Sequence, residues 1–326
     1  MKAAVYTRYG PPDVVQIAEL PKPVPKDDEV LVRVRAASLN PADWRLMKGV
    51  PQIFRILFRL RNPTAQEPGQ LGRDLAGNVE AVGRSVTKVK PGDEVFGVAP
   101  GTLAEYACAS ETKLALKPDN VTFEQAASVP VAALTALQGL RDKGKIQRGQ
   151  KVLINGAAGG VGTFAVQIAK SFGAEVTAVC STGNLELVRS IGADRAIDYT
   201  QEDFTRNRRR YDLILDNVGN HSLAAVRRVL NPSGACVIAG APKEAAVFFL
   251  TRAVATPVLS RLGSRKFTMF IAKVNGEDLA TLGGLMKSEK VKPVIDKRYS
   301  LNQAPEALRY LQEGHARAKV VINLPS

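Results

Sequence analysis

The sequence predicts an α/β protein of two lobes, a β-rich lobe followed by a doubly wound parallel sheet, on three observations. Short runs with strand alternation, VLVRVRAASL (30–39), AGNVEAVG (76–83) and DEVFGVA (93–99), are separated by Pro and Gly turns in the first third of the chain. From Lys151 onward, apolar strands alternate with helical patterns of about ten residues, the signature of a parallel sheet covered on both faces. At 326 residues the chain is long enough for two cores, since single domains usually run to about 100–200 residues.

In chain order, Pro118 and Asp119 end the β-rich part, and the Ala-rich stretch to Leu140 reads as helical connection. The alternation then runs KVLIN, GVGTFAVQIAKSFG, EVTAVC, NLELVRSIG, RAID, EDFTRN, YDLILD, NHSLAAVRRVL, ACVIAG. FTMFIA (267–272) supplies a sixth strand, and KVVINL (319–324) is expected to return to the first lobe. These readings assign 1–118 with 273–326 to the β-rich lobe and 119–272 to the nucleotide-binding lobe.

Composition narrows the function. Hydrophobic residues at 45% and charged residues at 23% match ordinary globular usage. No stretch approaches the roughly 18 uninterrupted apolar residues of a membrane span, and MKAAVYTRYG lacks a secretory apolar core, so the expected location is the cytoplasm. Cys108, Cys180 and Cys236 sit singly in apolar runs and read as buried thiols. The net charge of +14 is compatible with a polyanionic partner, but the arginines are scattered and only 6% of residues are aromatic, which argues against nucleic acid.

AAGGVG (157–162) fits G-x-G-x-x-G with alanine in the first place, directly after a strand and opening a helix. In that context Ala158, Gly159, Gly160 and Val161 are expected at a pyrophosphate, with Gly162 packing helix on sheet; the other reading is a purely structural turn. The second strand ends in CSTGN, without the carboxylate that usually holds the adenosine ribose of NAD. Ser181, Thr182 and Asn184 suit a 2′-phosphate instead, so NADPH is the expected cofactor. RNRRR (206–210) precedes its strand and reads as a solvated basic surface, whereas Asn217, Val218, Gly240 and Ala241 follow theirs and are expected to face a dinucleotide.

The segments SLNPADWRLMKG (38–49), GRDLAGNVEAVG (72–83), KPGDEVFG (90–97), AASVPVAALTALQGL (126–140), NGAAGGVGTFAVQIAK (155–170) and LGSRKFTMFIAKVNGEDL (262–279) together resemble the medium-chain dehydrogenases and reductases, in their zinc-free quinone oxidoreductase and alkenal reductase branch. The resemblance implies a GroES-like catalytic lobe, a Rossmann lobe, a cofactor cleft and commonly a homodimer. Zinc-dependent relatives carry cysteine where Ser38 stands and a histidine in the segment matching Gly72, Arg73 and Asp74; neither is present here, so no metal is expected. What remains is transfer of hydride from NADPH to a quinone or to the β-carbon of an α,β-unsaturated carbonyl. Asn40 matches a position that contributes to the pocket, its other reading being a turn amide before Pro41. For the proton donor, Trp44, Arg45, Lys48 and bulk water stand as alternatives. Thr135 resembles a threonine on the nicotinamide side, its other reading being a threonine that packs its helix; Tyr199 resembles a residue beside the adenosine phosphate, and Lys319 a lysine near the cofactor, with Ala318 in place of the usual glycine.

IFRILFRLR (53–61) and the segment 245–266 are apolar with basic punctuation, and read either as covers over the cleft or as contacts with an anionic membrane, the cover being expected. The activity expected is therefore an NADPH-dependent reduction of quinones, alkenals or enones. The alternatives are a metal-free alcohol or ketone dehydrogenase, and a non-catalytic NADPH-binding sensor or scaffold.

Overall fold

In the computed structural model the described residues are 1–49, 62–240, 245–261, 263–314 and 316–325. The basic segment 53–61 and the predicted cofactor contact Ala241 lie outside them. The chain divides into two compact units, one of Met1–Val131, Val274–Glu289 and Pro293–Ser326, the other of Ala132–Lys273 and Lys290–Lys292. The first division falls after Val131 rather than near 118, because helix α2 (Phe123–Ala127) packs on strands of the first unit.

In the first unit, β1 (Lys2–Tyr6) pairs with β2 (Val15–Glu19) and β4 (Gly69–Gln70) in a small antiparallel sheet. The larger sheet is built on β3 (Glu29–Leu39), which pairs antiparallel with β5 (Asp74–Val82) and with β7 (Tyr106–Ser110). It continues from β5 through β6 (Glu94–Val98) to β8 (Leu114–Leu116). Val30, Val32, Val34 and Leu39 of β3 enter a core with Leu75, Val79 and Val95, as alternation along the strand predicts. Helix α1 (Pro41–Lys48) follows β3 at once, started by Pro41 at its first position and by the Asp43 carboxylate, which accepts the Asn40 N–H at 2.7 Å.

Helix α3 (Pro130–Gln138) leads into the second unit. There β9 (Lys151–Asn155), β10 (Glu175–Cys180), β11 (Arg195–Asp198), β12 (Tyr211–Asp216), β13 (Leu230–Ile238) and β14 (Lys266–Met269) form one wholly parallel sheet in the order β11-β10-β9-β12-β13-β14. The strand order reverses between β9 and β12, so the crevice at their carboxyl ends is where such a sheet takes ligands. Helices α4 (Gly160–Ser171), α5 (Leu185–Ser190) and α6 (Leu223–Arg228) make the crossovers, and α7 (Ala245–Arg261) precedes the sixth strand. Ala255 and Leu259 of α7 pack on the apolar cluster that includes Ile214 and Phe267. No helix among the described residues is long and apolar enough to cross a membrane.

The chain then returns to the first unit through α8 (Gly276–Lys287), β15 (Ile295–Ser300), α9 (Ala304–Glu313) and β16 (Lys319–Asn323). Strand β16 pairs antiparallel with β3, placing Val320 opposite Leu39 and Val321 opposite Ser38. On the other side of β3, Ser38 faces Asp74 of β5. Two registers thus bring residues from three distant parts of the chain to one end of β3.

Candidate functional site

At the end of β3 those registers build a buried polar group. Asp74, fully enclosed, accepts four hydrogen bonds: from Ser38 Oγ at 2.9 Å, Asn40 Nδ2 at 2.9 Å, Lys319 Nζ at 3.2 Å and the Val131 N–H at 3.0 Å. Lys319 Nζ also donates to Asn40 Oδ1 at 2.8 Å and to the Leu39 carbonyl at 3.1 Å, so each of its three N–H groups is used. The residue before it, Ala318, has φ +61° and is buried. That left-handed conformation costs a non-glycine residue about 1–2 kcal/mol. It is the local reason a glycine suits this place.

Asp43 lies behind this group. Burial, with Asp74 adding to it, pushes its carboxyl up to about 6 against the pull of the Asn40 N–H, Lys319 and Arg73. The same helix carries the three proton-donor candidates, and the structure separates them. Trp44 belongs to the core of the first unit, and Arg45 lies over its ring with the guanidinium 5.4 Å from the centroid. Lys48 is exposed. Only Asn40 of the four predicted catalytic residues enters the buried polar group.

In the second unit the glycine turn sits at the switch point, between β9 and α4. Two of its glycines, Gly159 and Gly162, differ in what surrounds them. A Cβ on Gly162 would stand 2.1 Å from the Gly156 carbonyl oxygen, whereas one on Gly159 would meet only that oxygen, at 3.5 Å. Gly162 is thus required by packing, and Gly159 leaves open a cradle that a side chain would fill. Ala158 is buried beneath the turn, Gly159 caps α4, and Gly160 and Val161 form its first two positions, where helix N–H groups lack intrahelical acceptors and favour an anion.

The loops beyond the strands carry the other predicted contacts. Asp216, at the end of β12, accepts bonds from Asn155 Nδ2 and from the N–H groups of Val218 and Gly219, fixing that loop. Asn217 donates its amide to the Asn155 carbonyl at 3.0 Å, while its Oδ1 is enclosed without a partner among the described residues. The Gly240 N–H donates to the Asp216 carbonyl at 3.2 Å, and a Cβ there would strike the Asn217 backbone. Thr135 is half-buried on α3.

At the end of β10 the arrangement departs from the sequence reading. Asn184 Nδ2 donates to Ser181 Oγ at 2.9 Å and leaves its own Oδ1 enclosed without a partner. The Thr182 hydroxyl is not free for a phosphate, because it donates to Asp198 Oδ2 at 2.6 Å. Asp198 ends β11 in register with Cys180, so a carboxylate does stand beside this loop, supplied by the neighbouring strand. The hydroxyl of Thr182, with the N–H and hydroxyl of Thr200, holds its pKa below the usual range. Tyr199 follows it, exposed, with its N–H on the Cys180 carbonyl. The Cys180 thiol is pushed up to about 11 by burial and by the Asp198 charge, which leaves it unreactive.

Comparison with known proteins fits this geometry. Models of an alcohol dehydrogenase GroES-like domain and of a zinc-binding dehydrogenase match residues 26–119 and 191–322. Over 99% of its length the chain is 38% identical to the 2-methylene-furan-3-one reductase of Solanum lycopersicum and 37% identical to the chloroplastic NADPH-dependent alkenal/one oxidoreductase of Arabidopsis thaliana, covering 79% of each. The structure of the quinone oxidoreductase from Coxiella burnetii superposes with a TM-score of 0.85 at 32% identity, over 100% of this chain and 99% of that one. The chain belongs to the medium-chain dehydrogenases and reductases. It is an oxidoreductase of the quinone and alkenal oxidoreductase branch, with a GroES-like unit and a Rossmann-like unit.

One of the two matching models is described as zinc-binding, so the donors matter. A medium-chain dehydrogenase binds catalytic zinc through thiolate and imidazole groups at about 2.0–2.3 Å. Here Ser38, Asn40 and Asp74 offer a hydroxyl, an amide and a single carboxylate, and the Lys319 ammonium already neutralises that carboxylate. These residues do not fit zinc. No group of three or more potential ligands from His, Cys, Asp and Glu occurs among the described residues.

Proposed function

We propose that this chain is an NADPH-dependent reductase that works without zinc and delivers hydride to quinones or α,β-unsaturated carbonyls. The observation that carries the reading is the Lys319–Asp74–Asn40 group, which puts an organic cation, fully hydrogen-bonded, on the one carboxylate of a donor set without thiolate or imidazole. The names of the tomato, Arabidopsis and Coxiella proteins support the substrate class, and that of the Arabidopsis relative supports the cofactor.

When bound, NADPH supplies the hydride. The chain binds and orients it: Gly159, Gly160 and the amino end of α4 take the pyrophosphate. The unpartnered Oδ1 atoms of Asn217 and Asn184 accept from ribose hydroxyls. The Ser181 hydroxyl, with Tyr199 alongside, serves the 2′-phosphate, while Thr182 is held back by Asp198. In the GroES-like unit, Asn40 keeps one amide hydrogen beyond its bond to Asp74, and this donates to the oxygen on which negative charge develops. Lys319, 2.8 Å from Asn40 Oδ1, polarises that amide and makes it a stronger donor. The proton that completes alkene reduction comes from water, since Trp44 belongs to the core, Arg45 lies over its ring and the exposed Lys48 stands outside the buried polar group.

The proposed setting is cytoplasmic and the proposed assembly a homodimer, the second from the family resemblance alone; fractionation and light scattering test them. The activity is tested by a steady-state screen of quinones, alkenals and enones with both cofactors. The expected result is oxidation of NADPH at a kcat/KM about tenfold or more above that with NADH, corresponding to one charge-assisted bond. Preference for NADH, or cofactor binding with no consumption on any acceptor, overturns the reading.

A further inference from the structure

The run RNRRR is left unused by the reductase chemistry; Arg208, Arg209 and Arg210 are exposed, as a solvated basic surface requires, and they border a recess. Arg208, Arg209 and Arg210 precede β12, and with Lys151 at the start of β9 they line a cavity of about 440 Å³ at the amino edge of the parallel sheet. That volume falls within the usual range of small-molecule sites, about 300–1,000 Å³. The edge is opposite to the one bearing the glycine turn, so this cavity is no part of the dinucleotide site.

The charges there are only partly matched. Arg210 donates to the Arg228 carbonyl at 2.5 Å and so closes the last turn of α6. Arg209 reaches Glu175, the one acidic residue lining the cavity, at a long 3.4 Å. Lys151 and Arg208 have no carboxylate partner among the described residues. Such a cluster repels itself, and a multivalent anion relieves it.

A neutral donor stands with the cations. Tyr211 lines the same cavity and is only 2% exposed, and its hydroxyl is enclosed without a hydrogen-bond partner. Asn207 and Thr177 flank that hydroxyl without reaching hydrogen-bonding geometry. A buried hydroxyl left unpaired costs about 1–3 kcal/mol, so a phosphate oxygen is a fitting partner. We propose that the amino edge of the Rossmann-like sheet is a second ligand site, taking a phosphate group carried by a small molecule or a lipid headgroup, held by Lys151, Arg208, Arg209 and Tyr211. Its dianionic charge and several acceptor oxygens match two free cations, one partly engaged guanidinium and one hydroxyl.

Calorimetric titration of the full chain with sodium pyrophosphate at low salt, with and without saturating NADP⁺, tests this. One pyrophosphate is expected to bind in both cases. Lys151→Met combined with Arg208→Gln is expected to weaken it about tenfold or more, and Tyr211→Phe about threefold, as the loss of charge-assisted and neutral bonds respectively predicts. NADP⁺ affinity should stay unchanged in all three proteins. A parallel arm with phosphoinositide-containing vesicles separates the sources: tighter, substitution-sensitive binding to vesicles assigns the phosphate to a lipid, and binding of free pyrophosphate alone assigns it to a soluble ligand. The proposal is overturned if neither probe binds, if NADP⁺ displaces the pyrophosphate, or if the double substitution leaves both affinities unchanged.

Discussion

Around Asp74 both charged groups are fully partnered, with four donors on one carboxylate and three acceptors around one ammonium. At the carboxyl edge of the parallel sheet, by contrast, Asn184 and Asn217 each enclose a carbonyl oxygen that nothing among the described residues satisfies. The charges of the first region are satisfied by folding, and the open acceptors of the second, on the proposed reading, by the cofactor. Substitutions in the first should therefore register as stability, and substitutions in the second as affinity.

The largest break is expected at Lys319. Lys319→Met leaves Asp74 buried and unpaired, which costs about 3–5 kcal/mol, read as a lower urea midpoint. Adding Asp74→Asn removes the stranded charge and should recover part of that loss. An equal loss of stability in single and double variants would show that packing, and not charge, sets the cost.

Asp43 gives a pH-dependent test of the same region. Because folding raises its pKa from 3.8 to about 6, its contribution to stability is greatest below pH 4 and is lost as pH rises through 6. Asp43→Asn keeps an acceptor for the Asn40 N–H and removes the charge. Its stability relative to the unsubstituted chain should rise between pH 4 and pH 6, then level off, by roughly 3 kcal/mol at most. A flat difference across that range contradicts the assignment.

The two glycines sharpen the comparison inside one turn. Gly162→Ala forces a Cβ onto the Gly156 carbonyl and should cost about 1–3 kcal/mol of stability. Gly159→Ala has room and an ordinary backbone conformation, so stability should move by less than about 1 kcal/mol while NADPH affinity falls. The smallest effect is expected at Ala318, where glycine relieves the left-handed strain and should raise stability by about 0.5–1 kcal/mol.

What the sequence revealed follows the same line. The glycine turn was legible because strand, turn and helix are contiguous, and the parallel sheet because its strands read as separate apolar runs. The sixth strand and the return of β16 to the first unit were legible for the same reason. Lys319 was reached only through the family resemblance, since its partner Asp74 lies 245 residues away and meets it through two strand registers. Asp198 was missed because the carboxylate was sought at the end of β10, and it comes from the adjacent strand. Asp43 sits in a polar-looking first helical turn, and nothing local tells that Trp44 and Met47 draw that turn into the core.

The central claim is hydride transfer without a metal. It is tested most directly by single-turnover stopped-flow oxidation of bound NADPH on mixing with an enone or a quinone, before and after exhaustive chelation, with zinc content measured on the same samples. The account predicts rapid consumption of NADPH at an unchanged rate in protein that holds far less than one zinc per chain. A rate abolished by chelation and restored by added zinc contradicts it.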